Sequence, residues 1–180
     1  MKVILSILVL LSSILCQTMP TYDRSSWGTW IDSDKDGQNT RQEVLIRDNI
    51  ASSESTTYVN GKIVKGMWID IYSGDTIRGA SLIDIDHFVP VSEANMSGGY
   101  LWDKNKKINF FNNISDTKHL HAVSIASNRS KGAKDPSKWM PKINKDSYII
   151  DWVTVKYKWG LKMDKEEYDF IISYLNTKFQ

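Results

Sequence analysis

The chain has 180 residues, 41% of them apolar and 11% aromatic, enough for one packed core and too few for two full domains. Its formal net charge is only +2, and its single cysteine, Cys16, excludes a disulfide framework and a cysteine-ligated zinc site. An exported chain built this way holds together by packing, with a metal ion as the natural aid.

Met1-Lys2 is a short positive start, Val3 to Leu15 is an almost unbroken apolar run, and small or polar residues follow through Thr18. That order predicts a secretory signal peptide over residues 1–18, removed after Cys16 or Thr18, and a secreted, extracellular protein. An uncleaved N-terminal anchor would start the same way, although the run is short for a bilayer span. Leu15 before Cys16 does not suit a lipoprotein signal. No second long apolar run follows Pro20, so residues 21–180 are expected to form one soluble domain, monomeric and free of membrane.

An aromatic stretch (Tyr22, Trp27, Trp30) leads into the acidic run Asp32 to Asp36, and the spacing of Val44 and Leu45 predicts a short helix over Thr40 to Ile50. Thr57 to Val64 reads as a hairpin, because Asn60-Gly61 between β-favouring residues suits a type I′ turn. Met67 to Tyr72 and Ser81 to Val89 read as strands, the second stopped by Pro90. Ser97 to Ser115 is polar and rich in Lys and Asn, held down by Trp102, Ile108, Phe110 and Phe111, and no element is predicted there. His119 to Ile125 reads as a strand and Ala126 to Lys131 as the first turns of a helix. Pro136, Trp139 and Pro141 mark a turn. Helices are predicted over Tyr148 to Lys158 and Asp164 to Phe179, the latter opened by the capping pair Asp164 and Glu167. The order of elements is α+β.

Charge resolved along the chain says more than its total. Residues 103–145 hold ten Lys or Arg against three Asp, whereas residues 21–85 hold seven basic against ten acidic residues. A positive field on one segment suits a polyanion such as nucleic acid, although a solvated lysine-rich face has the same composition.

Within that frame, Asp84-Ile85-Asp86-His87-Phe88-Val89-Pro90 and Asn128-Arg129-Ser130-Lys131-Gly132 carry the chemistry. Phosphodiester hydrolysis needs an activated water and charge stabilisation on the non-bridging oxygens. His87 suits a general base, and Asp86, on the other side of a strand from it, offers a hard oxygen to a divalent cation. Asn128 can supply a second, neutral oxygen. Arg129 and Lys131, opening a helix, suit contacts to a phosphate.

These residues, with His119-Leu120-His121-Ala122-Val123-Ser124, Ala133-Lys134-Asp135-Pro136 and Trp139-Met140-Pro141, resemble the secreted HNH endonuclease family related to the GmrSD restriction enzymes. Trp30 to Leu45, Gly66-Met67-Trp68 and Tyr72-Ser73-Gly74 are similar to that family too. The resemblance spans about residues 22–141. It implies a ββα-metal (His-Me finger) core over about residues 82–135, with C-terminal helices over about 146–179. In it Asp86 and Asn128 are ligands of one Mg²⁺ or Mn²⁺, and His87 is the base. It implies that His119 is the middle residue of the HNH set, orienting the base loop or touching phosphate, and that Arg41 contacts the scissile phosphate, braced by Glu43. The products would carry 5′-phosphate and 3′-hydroxyl ends. His121 stands where the family has an apolar residue, which suits a structural role. Gly37 stands where family members often have cysteine, so a disulfide pinning the N-terminal segment is missing.

Asp32-x-Asp34-x-Asp36-Gly37-x5-Glu43 also matches a twelve-residue EF-hand calcium loop at its ligand positions. Tyr22 to Ile31 does not read as an entering helix, and Asn39 replaces the usual apolar residue. A Ca²⁺ loop outside a true EF-hand and an acidic turn capping the next helix are both compatible. Asn95, Asn113 and Asn128 begin N-glycosylation sequons, and a glycan on Asn128 would abolish metal binding. The expectation is a secreted, metal-dependent endonuclease of low sequence specificity, acting on DNA, with RNA left open as a substrate. A non-catalytic secreted calcium-binding module is the alternative.

Overall fold

Asn60 and Gly61 both adopt positive φ (49° and 75°), the backbone a type I′ turn requires, and they join β1 (Thr57–Val59) to β2 (Lys62–Lys65) as an antiparallel hairpin. The computed structural model describes residues 21–178. The signal peptide expected over residues 1–18 lies outside them. Before the hairpin comes α1 (Thr40–Arg47), opened by Asn39, whose side chain accepts the Gln42 amide. After it, β3 (Met67–Ile69) pairs antiparallel with β4 (Thr76–Arg78), and β5 (Ile83–His87) with β6 (Leu120–Ser124). Helices α2 (Val91–Met96) and α3 (Lys104–Phe111) lie between β5 and β6. Helix α4 (Ile125–Lys131) follows β6 directly, and α5 (Lys145–Trp159) and α6 (Lys165–Lys178) close the chain. The fold class is α+β, as expected.

Three elements had not been predicted. Pro90 does end the β5 run, but it also occupies the cap position of α2, whose first turn tolerates a residue without an amide donor. Helix α3 forms inside the Lys- and Asn-rich stretch because Asp103 caps the Lys106 amide at 2.8 Å and Phe110 and Phe111 anchor its last turn. Its weak apolar periodicity hides it from sequence reading. Strand β4 is too short to show alternation. At the C-terminus, Asp164 caps Glu167 N–H at 2.8 Å, but the Glu167 carboxylate turns inward to Lys156 and Trp152 and leaves the capping box half made.

Two apolar cores flank the β5–β6 pair. Ile83, Ile85, Leu120 and Ala122 join Val44, Leu45, Ile63 and Trp68 on one side. Phe88 and Val123 join Trp27, Tyr72, Phe110, Phe111, Tyr148 and Trp152 on the other. No disulfide pins the N-terminal segment. Asn112 does that work: its Oδ1 accepts Ile31 N–H at 3.1 Å, and its Nδ2 donates to the carbonyls of Thr29 (3.0 Å) and Ile108 (3.1 Å).

Candidate active site

Alternation along β5 places Asp84 and Asp86 on one face and His87 on the other. Asn128 and Lys131, three residues apart on α4, share a helix face that meets those carboxylates. The result is a two-rung ladder. Asn128 Nδ2 donates to Asp84 Oδ2 at 3.0 Å, and Lys131 Nζ reaches both oxygens of Asp86 at 2.8 and 2.9 Å. Ser124 sets the helix at this angle: its hydroxyl donates to Asp70 Oδ2 (2.6 Å) and accepts Ser127 N–H (3.0 Å).

Two sequence assignments change here. Lys131, expected at the surface on a phosphate, has no exposed surface, and its ammonium also donates to the His87 carbonyl at 2.9 Å. An ammonium that far from water needs a carboxylate partner, and Asp86 is that partner. Burial still pulls the Lys131 pKa down, opposed by Asp86. Asp86, expected to share an ion with Asn128, has its Oδ2 further engaged by the Tyr72 hydroxyl at 2.6 Å. Desolvation first, and the Asp86 charge next, push the Tyr72 phenol well above its usual range, so it stays a donor. The carboxylate in contact with Asn128 is Asp84, which sequence reading did not single out. The signal was present, in two aspartates two apart on a strand and Asn and Lys three apart on a helix.

His87, expected as an open base, is 7% exposed. Its ring stacks on Trp30 (5.3 Å, 9° between planes), lies 4.6 Å from Phe111, and contacts the Phe111 carbonyl through Nε2 at 2.9 Å. Burial, then the neighbouring His119, push its pKa well below the usual value, so the ring is neutral at pH 7. With Nε2–H donated to the carbonyl, the lone pair sits on Nδ1. Arg24, 4.1 Å over the Phe111 ring, brings a positive charge to the same corner. His119 is fully buried, its Nε2 on the Phe110 carbonyl at 2.6 Å, and burial lowers its pKa to about 4. It touches the segment carrying the His87 partner and not the surface.

Arg41 Nη2 donates to the Ile83 carbonyl at 3.1 Å, which sets its guanidinium beside the Asp84 end of β5 and not beside His87. Asp84 and His87 are about 10 Å apart along the strand at ~3.3 Å per residue. Arg129 is exposed on α4. Asn128 faces Asp84 with its Nδ2, so its carbonyl oxygen would join Asp84 at a divalent cation only with the amide turned over, and Asp86 is paired with Lys131 beside them.

At the acidic loop, Asp32, Asp34 and Asp36 are exposed and each offers an oxygen within 4.8 Å of the others. The Gly37 amide donates to Asp32 Oδ2 at 2.9 Å, and Gly37 takes φ 92°. Desolvation, then Asp34, Asp36 and Asp32, raise the Glu43 pKa, which places its carboxylate within electrostatic reach of the three.

The described residues thus form an α+β domain with a carboxylate–amide pair where a helix meets a two-stranded sheet. The "Uncharacterized secreted protein" of Arthroderma benhamiae is 33% identical over 160 residues, covering 87% of this chain and 75% of that protein. The chain belongs to the family of that protein and is secreted. No helix among the described residues is long and apolar enough to cross a membrane. No family model and no solved structure matches the chain.

Proposed function

We propose that this protein is a secreted, metal-dependent endonuclease of the HNH type, with β5, β6 and α4 as its ββα-metal core. The observation that carries the reading is the Asp84–Asn128 contact, which joins a helix amide to a strand carboxylate two residues before the Asp86-His87 pair. Asp84 and Asn128 would hold a Mg²⁺-like ion, which when bound supplies positive charge to a phosphodiester's non-bridging oxygens. Asp86 is not asked to ligate, because releasing Lys131 would leave a buried charge unpaired.

His87 holds its bare Nδ1 as the proton acceptor, with the Phe111 carbonyl fixing the tautomer. Exposed Arg129 and Lys134 add positive charge beside α4, which suits DNA or RNA. Incubation with plasmid DNA and Mg²⁺, with and without chelator, tests this. The wild type should degrade the plasmid only with free Mg²⁺, and His87→Ala should cut at least ~100-fold slower. Undegraded plasmid would sink the nuclease reading, and a fully active H87A would remove His87 from it.

A second reading, a calcium-binding module, is favoured by the converging oxygens of Asp32, Asp34 and Asp36. It predicts calorimetric Ca²⁺ binding that Asp32→Asn with Asp34→Asn abolishes. Binding that survives both substitutions would place the ion elsewhere.

A further inference from the structure

The Asn-x-Ser triplets at Asn95, Asn113 and Asn128 are sequons for asparagine-linked glycosylation, and the fold gives them different surroundings. Asn95 lies within α2 and is 4% exposed, and Ser97, 8% exposed, donates its hydroxyl to Glu93 Oε1 at 2.7 Å. Asn128 lies within α4 with its Nδ2 on Asp84 Oδ2, and the Ser130 hydroxyl accepts Trp139 Nε1–H at 3.0 Å. In both triplets the asparagine is part of a packed helix and the hydroxyl is committed to another residue. Asn113 stands apart. It follows the end of α3 in an irregular turn, where exposed Ser115 donates its Oγ–H to Asn113 Oδ1 at 2.8 Å. The Asn113 Nδ2 has no hydrogen-bond partner among the described residues, and it is not sealed from water.

We infer that Asn113 carries an N-linked glycan, and that Asn95 and Asn128 stay bare in the exported protein. The protein is secreted, and a eukaryotic secretory route is where such triplets are read. The sugar donor there is a lipid-diphosphate-linked oligosaccharide. Asn113 Nδ2 forms a bond to C1 of its first sugar as the C1–O bond to the diphosphate breaks. The lipid diphosphate leaves with that electron pair, and Nδ2 gives up one proton. Nδ2 has no protein acceptor to lose and Oδ1 keeps its bond from Ser115, so the product disturbs no hydrogen bond of the turn. A sugar on Asn95 would be sealed under α2 with its hydroxyls cut off from water, or would force that helix off the core. One on Asn128 would wedge between α4 and β5, where Nδ2 meets Asp84. Transfer takes place on the entering chain, ahead of folding, so folding does the selecting. A chain marked at Asn95 or Asn128 fails to pack and is not exported, whereas a chain marked at Asn113 packs normally. Asn113 is not a residue of the candidate active site, so its glycan is independent of whether the protein cleaves nucleic acid.

The test is secretion of the full chain from a eukaryotic host, with peptide mass spectrometry of the exported protein before and after peptide N-glycosidase. A single glycan per chain is expected, on the peptide bearing Asn113, and enzyme treatment should remove it and leave an aspartate in its place. Asn113→Gln and Ser115→Ala should each export a chain without sugar. Ser115→Thr, which keeps the hydroxyl, should keep the glycan. Sugar on Asn95 or Asn128 should be confined to chains retained inside the cell, and Asn95→Gln should leave the Asn113 glycan in place. An exported wild type bare at Asn113 overturns the inference, as does one carrying sugar at Asn95 or Asn128. A glycan on Asn113 that survives Ser115→Ala overturns it too. The wild-type peptides alone decide among the three asparagines, so no variant has to fold for the test to count.

Discussion

The Lys131 ammonium lies 2.8 and 2.9 Å from the two carboxylate oxygens of Asp86, and the pair is sealed between α4 and β5 with Asp86 only 4% exposed. Such a pair gains little over an apolar equivalent, yet breaking it strands a charge. Lys131→Met should therefore cost roughly 3–5 kcal/mol in urea unfolding. Asp86→Asn, which leaves the ammonium without a counter-charge, should cost a comparable amount. The double substitution Asp86→Leu with Lys131→Met should recover most of the loss. A Lys131→Met protein of wild-type stability but weakened nucleic-acid affinity would return Lys131 to the phosphate-contacting role that the sequence suggests.

The Asp84–Asn128 contact makes a separate prediction about metal. Asp84→Ala and Asn128→Ala should each raise the Mg²⁺ or Mn²⁺ concentration needed for half-maximal cleavage by ~10-fold or more, scaled from losses seen at metal sites. Asp86→Asn should lower stability while leaving that midpoint unchanged. A metal titration that moves with Asp86→Asn and not with Asp84→Ala would restore Asp86 as the ligand.

The difference between these aspartates marks how far the sequence could be read. Local signals carried well: the Asn60-Gly61 turn, the strand ending at His87, the β6-to-α4 junction and the two C-terminal helices all form near their expected places. Each rests on turn chemistry, alternation or apolar spacing within a few residues. Helix α3 escaped because two of its fixing contacts, Phe110 against Trp27 and Phe111 against Trp30, are distant in sequence. The ladder was half legible. Residue types and spacing pointed to Asp86, His87 and Asn128, but which carboxylate meets the amide depends on how α4 is set against β5, through Ser124 and Asp70. The burial of His87 under Trp30 was not legible, because it depends on the fold of residues 21–31.

The buried histidines make stability fall with acid. His119 has its pKa lowered from 6.5 to about 4 by burial, and His87 is shifted in the same direction. Between pH 6.5 and 4 the unfolded chain binds protons that the folded chain refuses, so the contribution is complete above pH 6.5 and is lost as pH falls through that window. His119 alone accounts for up to about 3 kcal/mol at the acid end, at 1.36 kcal/mol per unit. Melting temperatures at pH 7, 6, 5 and 4 should fall progressively, and His119→Gln, which keeps a donor for the Phe110 carbonyl without a titrating ring, should flatten the fall. An identical slope in the variant would assign the acid sensitivity to other groups.

Asn112 takes the place of a covalent pin for the segment that covers His87. One amide group satisfies the Ile31 N–H and the Thr29 carbonyl while its own helix end supplies the Ile108 carbonyl, so the loop bearing Trp30 is tied to the last turn of α3. Water can replace part of this in a half-exposed setting, which limits the cost of Asn112→Ala to roughly 2 kcal/mol. The larger effect should be local. Trp30 stacks on His87 at 5.3 Å, and loosening the loop should open that stack. Trp30→Phe supplies the reference for the Trp30 contribution to fluorescence. In Asn112→Ala, acrylamide quenching of that contribution should rise, and the His87 pKa, followed by NMR, should climb back toward 6.5 as water reaches the ring. If His87 is the base and the covering segment limits access, plasmid cleavage in this variant should rise or hold while its melting temperature drops. Loss of cleavage in step with stability would instead mean that the Trp30 cover orients the imidazole for the reaction.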